Sequence, residues 1–376
     1  MSFADTVAEG RRLFVERPGT AILGAVVGFL VLDLVVKLSG TTVFFLGVKL
    51  LGGAMTVSSL VSMVLDGILV GLAVGLAGIG LSMTYSILDF ANFAHGDTVT
   101  AGAFIGWVAA YVVGGLGTGA SFADLFLFNA GLQLSALTAI GPVVVGLIAA
   151  GVGTVAVVLL LDRLTYRPMR SAGNISLLIA SIGVALAMRY IIAFVFGTQT
   201  SGVASSGVQF VLLDLAGQRP VTVTDNELAL LVVAVALMLG VHILLQRTKL
   251  GKAMRAMADN EDLALVSGIP TERVIRLTWI LGGGLAGIGG YLLVLESGTI
   301  SFNFGWILLL LIFAAVIVGG IGSIYGAMAG GVLIGLVDSL ALIWLPSGLT
   351  RAAAFLVLIV VLLLRPSGIF GGVSTA

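Results

Sequence analysis

Apolar runs of about 20 residues recur along this chain, the length at which an α-helix crosses the hydrocarbon core of a bilayer. A run such as "LALLVVAVALMLGVHILL" (228–245) has none of the apolar/polar alternation that a transmembrane β-strand needs. Only 10% of the 376 residues are charged and 59% are hydrophobic. Soluble domains carry about 25% charged residues, so this chain has too little polar surface to face water on all sides. The expected fold is all-α, a polytopic transmembrane helical bundle of nine to ten spans with an inverted internal repeat. With no cysteine, disulfides, haem attachment and thiolate metal sites are excluded.

The spans read as 19–39, 62–87, 97–113, 136–161, 174–197, 227–246, 274–295, 303–320, 325–344 and 350–364. The first is interrupted by Asp33 and Lys37, which are four apart and can pair on one helix face. Basic residues set the orientation. With ten spans both termini share a side, and that side collects Arg11, Arg12, Arg17, Arg163, Arg167, Arg170, Arg247, Lys249, Lys252, Arg255, Arg273, Arg276 and Arg365, thirteen of the 18 basic residues. Both termini are therefore expected to be cytoplasmic. The segment 198–226 then faces outward, and its Gly, Pro and short β-prone runs predict a hairpin.

"GLAGIG" occurs at 75–80 and again at 284–289, an offset of 209. Carried forward, the offset lays Phe93 on Phe302 and Gly96 on Gly305. The first copy runs inward and the second outward in this topology. Inverted repeats in transporters place the substrate path at the repeat interface. The candidate path is therefore Asn92, Phe93, His95 and Gly96 on one side, and Phe302, Asn303 and Gly305 on the other. Gly67, Gly71 and Gly75, and likewise Gly322, Gly326 and Gly330, are spaced for close helix approach, either within the chain or at a dimer seam.

The segment "DFANFAHGD" (89–97) sets polar groups between two greasy spans. Asp89 and Asp97 fit an interfacial position or a water-filled cavity, since polar backbone at membrane depth must be covered. His95 fits a turn or cap role as well as a path role. Arg189 has no carboxylate partner on its own helix, and Glu296 and Asp338 are the candidate partners. No cluster with metal-ligand spacing occurs.

The segment 247–276 is amphipathic and too polar to span. Asn260 is placed to cap a helix, with Glu261 and Asp262 in the first turn. Gly268 and Pro270 stop it. The result is a short helix under the membrane whose apolar face awaits lipid or a partner. No G-x-x-x-x-G-K-[ST] sequence occurs, so the chain has no phosphate-binding loop of that kind.

Four stretches carry a family resemblance: "ILDFANFAHGDTVTAGAF" (87–104), "LDRLTYRPMRSAGNISLLIASIGVAL" (161–186), "RTKLGKAMRAMADNEDLALVSGI" (247–269), and "AAVIVGGIGSIYGAMAGGVLIGLVD" (314–338) with "RPSGIFG" (365–371). The chain resembles the membrane permease subunits of ABC importers for branched-chain amino acids. The resemblance implies a permease domain over 61–372, preceded by an N-terminal extension (1–60) with an extra membrane helix. It implies a second permease subunit forming a hetero- or homodimer, two cytoplasmic ATPase subunits and an external binding protein, all at the cell membrane. No cofactor is bound by the chain itself, and ATP is hydrolysed by the partner subunits. No nucleic acid is involved. Residues 256–268 would be the coupling helix, with Met257, Asp259, Glu261, Asp262, Ala264 and Gly268 at the ATPase contact. Urea and short-chain amide permeases share these motifs. An ion-coupled secondary transporter is the alternative from another class.

Overall fold

The computed structural model of the chain describes residues 18–45, 48–121, 132, 134–204 and 207–371. Arg11, Arg12 and Arg17 of the charge argument lie outside the described residues. The chain divides into two compact units, residues 1–62 with 212–221, and residues 63–211 with 222–376.

In the first unit, α1 (Pro18–Leu38) is followed by an antiparallel hairpin of β1 (Thr42–Phe45) and β2 (Val48–Gly52). The expected Asp33–Lys37 pair closes at 2.8 Å. Asp33 also accepts the Gly52 N–H at 2.7 Å, so one buried carboxylate ties the helix to the hairpin.

The second unit is the helical bundle. It contains most of α2 (Val57–Leu88), then α3 (His95–Thr118), α4 (Ile140–Leu161), α5 (Asn174–Phe196), β3 (Ser201–Gly202), most of β4 (Gln209–Leu213) and of β5 (Val221–Thr224), α6 (Asp225–Arg247), α7 (Lys249–Asp259), α8 (Glu261–Val266), α9 (Thr271–Ser297), β6 (Thr299–Ile300), α10 (Phe304–Gly319), α11 (Ile324–Ala341) and α12 (Thr350–Leu364). Eight helices among the described residues are long and apolar enough to cross a membrane, and α10 is a shorter apolar helix. The chain is a polytopic helical membrane protein.

Some borders move. The fourth span begins at Ile140 and continues past Leu161 as a π-helical turn, Asp162–Tyr166, reaching Ala172 through short helical turns. The Arg167 N–H bonds the Asp162 carbonyl, five residues back, and Pro168 one step on has no N–H with which to restore the ordinary ladder. The hairpin expected in 198–226 is present as the paired β4 and β5. Thr224 then starts α6 with a reciprocal capping box to Glu227, satisfying two backbone N–H groups that the helix leaves open.

Helix packing rests on missing side chains. A Cβ at Gly71 would lie 2.7 Å from Val332 Cα, and one at Gly67 2.9 Å from Leu336 Cα, so α2 and α11 meet backbone to backbone. The small-residue stripe of α2 is thus used within the chain. Gly322 is not part of a helical stripe: it has φ +84° and precedes α11. Only Gly326 and Gly330 lie in the helix, packed on Gly319 and Ala315 of α10. Where α3, α4 and α9 cross, Tyr291 is fully buried, and its ring fills the hole left by Gly106 and Gly146.

Candidate functional site at two helix breaks

The segments 89–94 and 298–303 are built alike at the 209-residue offset. α2 ends at Leu88 and α9 at Ser297, while α3 starts at His95 and α10 at Phe304. Asp89 has φ +52° and Gly298 φ +69°. Asp89 is the one described non-glycine residue with positive φ, a left-handed conformation that side chains resist. The Asp89 N–H bonds the Tyr85 carbonyl at 2.8 Å, and the Gly298 N–H the Val294 carbonyl at 3.0 Å. The His95 N–H bonds the Asn92 carbonyl at 3.2 Å, and the Phe304 N–H the Ser301 carbonyl at 3.1 Å. Both helices therefore stop on a left-handed residue and restart after the same short turn.

The two restarting helices meet at their first turns. A Cβ on Gly96 would come 2.5 Å from the Gly305 carbonyl oxygen and 2.8 Å from Leu309 Cβ, and one on Gly305 would strike the Gly96 carbonyl. The Gly305 N–H donates to Thr100 Oγ1 at 2.9 Å, and that hydroxyl donates to the Gly96 carbonyl at 3.2 Å. Thr100 on α3 thus satisfies one of the orphan N–H groups of α10. Gly96 and Gly305 are in backbone contact here, so no ligand fits between them in this conformation.

Around this contact the polar residues are held. Asn92 is buried, and its Oδ1 accepts the Ala94 N–H at 3.0 Å and the Tyr166 hydroxyl at 3.3 Å. The Phe93 N–H donates to Ser181 Oγ at 3.0 Å, and its ring packs on Phe313 with centroids 5.2 Å apart. His95 is buried, with Nε2 2.8 Å from the Ala77 carbonyl. A carbonyl only accepts, so Nε2 carries the proton. Phe302 packs against the core, and Asn303 Oδ1 accepts from Ser301 Oγ at 3.0 Å.

Asp97 is fully buried in the first turn of α3, where a carboxylate suits the helix dipole. Arg189 pairs with it, rather than with Glu296 or Asp338: Nε to Oδ1 is 3.0 Å and Nη2 to Oδ2 is 2.8 Å. The guanidinium also lies 4.3 Å from the ring centroid of Trp306 in the first turn of α10, a favourable cation–π position. The sequence shows only that each charge lacks an opposite charge on its own apolar helix, a property Asp338 shares, so the choice of partner came from the fold.

The expected docking helix divides in two. α7 ends at Asp259, and Asn260 caps α8 by accepting the Leu263 N–H at 2.8 Å. Residues 256–268 are therefore not one helix. Met257 is buried in α7, and Asp259 is exposed at its end. Glu261 and Asp262 fill the first turn of α8, and Gly268 follows it at φ +82°. Ala264 is buried, whereas Leu263, Leu265 and Val266 are 64%, 58% and 85% exposed. α8 thus presents apolar side chains away from the bundle.

These features agree with the comparisons to known proteins. The profile of the family "Branched-chain amino acid transport system / permease component" matches residues 63–364. The high-affinity branched-chain amino acid transport system permease protein LivH of Escherichia coli is 30% identical over 308 residues, covering 81% of this chain and 94% of the relative. BraD of Pseudomonas aeruginosa, a permease protein of the same description, is 28% identical over 306 residues, covering 81% and 94%. A probable branched-chain amino acid transport permease protein of Methanocaldococcus jannaschii is 29% identical over 309 residues, covering 79% and 88%. The chain belongs to the family of branched-chain amino acid transport system permease components.

Proposed function

We propose that this chain is one membrane subunit of an ATP-driven importer that moves branched-chain amino acids into the cell by alternating access. A second permease subunit completes the path, two ATPases dock on the cytoplasmic end, and an external binding protein delivers the amino acid. The host membrane is the cell membrane, with both termini cytoplasmic. α8 carries this reading: a capped helix, too short and polar to span, holds three large apolar side chains outside the bundle. A self-sufficient channel or ion-coupled transporter does not need a docking helix there. The matched breaks support an inverted repeat, with Asn92, Phe93, His95, Gly96, Phe302, Asn303 and Gly305 flanking a path that opens as α3 and α10 separate. The similarity to permeases for branched-chain amino acids favours those substrates over urea or amides.

Deleting the gene in its host and measuring uptake of radiolabelled leucine and urea tests the substrate. Loss of leucine uptake alone, restored by the intact gene, is the expected result. Loss of urea uptake alone replaces the substrate, and loss of neither overturns the reading. For the docking role, Leu263→Ser with Val266→Ser is expected to cut leucine uptake tenfold or more at unchanged membrane abundance. Both side chains are exposed, so the fold does not depend on them, and full uptake in the double variant would exclude α8 as the ATPase contact.

A further inference from the structure

The "LDRLTYRPMR" motif (161–170) has entered the site so far only through the Tyr166 hydroxyl, yet its side chains join the start of α9 to the first helix break. Arg170 Nη2 lies 2.7 Å and 3.0 Å from the two Asp162 oxygens, and Nη1 lies 2.6 Å from Glu272 Oε1 in the first turn of α9. Arg167 Nε is 3.7 Å from the other Glu272 oxygen. Tyr166, in the π-helical turn, is 2% exposed and stacks on Trp279 of α9, with centroids 5.1 Å apart and planes 14° apart. Phe90 of the first break packs on the same ring at 5.5 Å. The Tyr166 hydroxyl then donates to Asn92 Oδ1 at 3.3 Å.

We infer that residues 162–170 form a strut that transmits displacement of the docking helix to the break at 89–94, with Tyr166 and Arg170 as positioning residues. Glu272 is tied to α8 by a short tether: the Ile269 N–H bonds the Ala264 carbonyl at 3.0 Å, and α9 opens two residues later. The strut grips α9 at Glu272 and at Trp279, two turns or about 10 Å apart. A rotation of α9 is thereby passed to the strut at two points. At its far end the strut holds Asn92, whose side chain also accepts the Ala94 N–H and so fixes the turn that starts α3. π-Turns within α-helices recur at functional sites, and this one places Tyr166 where an uninterrupted ladder would carry a different residue. The inference rests on α8 being the ATPase contact.

The test uses the whole transporter, isolated from host membranes with this chain and reconstituted in liposomes with its binding protein. Leucine transported and ATP hydrolysed are measured together. Tyr166→Phe keeps both ring contacts and removes only the hydroxyl, while Arg170→Lys keeps the charge and removes the two-carboxylate fork. Each is expected to lower leucine transported per ATP hydrolysed fivefold or more, with assembly and hydrolysis within twofold of the wild type. An unchanged ratio in both variants overturns the strut, and so does a parallel fall in transport, hydrolysis and assembly, which marks mere destabilisation. Wild-type leucine transport that needs no ATP would instead overturn the importer reading, and it is visible before any variant is made.

Discussion

Asp97→Ala is expected to destabilise the bundle by about 3–5 kcal/mol, the cost of leaving one buried charge without its partner. The remaining guanidinium belongs to Arg189, 9% exposed in the body of α5. It is seven residues, or about 10 Å, from the end of its helix. Transfer scales for an unpaired charge at membrane depth give about 2.5–3.5 kcal/mol, so two independent lines agree on the order of magnitude. Trp306 alone offsets little, since a cation–π contact contributes about 0.5–2 kcal/mol. The measurement is the thermal unfolding midpoint in detergent. Removing both charges, with Asp97→Leu and Arg189→Met, is expected to recover much of the loss, because well-packed apolar residues replace a buried pair at little cost. If the double variant is as unstable as Asp97→Ala, the pair does not act as a unit.

Gly305→Ala is expected to cost about 3 kcal/mol, the upper part of the range for overpacking a filled interior. The added methyl meets the Gly96 carbonyl and lies 2.5 Å from Thr100 Oγ1. Neither is the free end of a flexible side chain. Relief therefore requires α3 and α10 to part, which also breaks the Gly305–Thr100 hydrogen bond. Gly183→Ala in α5 is the control. Nothing lies within 4 Å of a Cβ there, and Ala is better than Gly in a helix interior by about 1 kcal/mol. The two midpoints should move in opposite directions. A Gly305→Ala protein as stable as the control would mean that the two helix starts do not hold this contact in the membrane.

What the sequence determined alone is what local physics controls. Hydrocarbon thickness and backbone hydrogen bonding make helices of the apolar runs, whatever lies beside them. The Asn260 cap, the glycine stop at 268, the Asp33–Lys37 pair and the paired strands in 198–226 all involve residues close in sequence. At the 209-residue offset set by the two "GLAGIG" copies, the helices break and restart at matching positions.

Only the tertiary structure decided which distant groups meet. Asp97 and Arg189 are 92 residues apart, Tyr166 and Asn92 are 74 apart, and Thr100 and Gly305 are 205 apart. Every helix in such a chain offers apolar side chains to every other, so hydropathy cannot rank the neighbours. Here small residues choose them, because only glycine lets α2 reach α11, or α3 reach α10, backbone to backbone. Once those approaches are fixed, the few polar groups have nowhere else to satisfy themselves. The ion pair, the Thr100 bridge and the Tyr166 strut follow from that packing, and a reading along one chain direction could not order them.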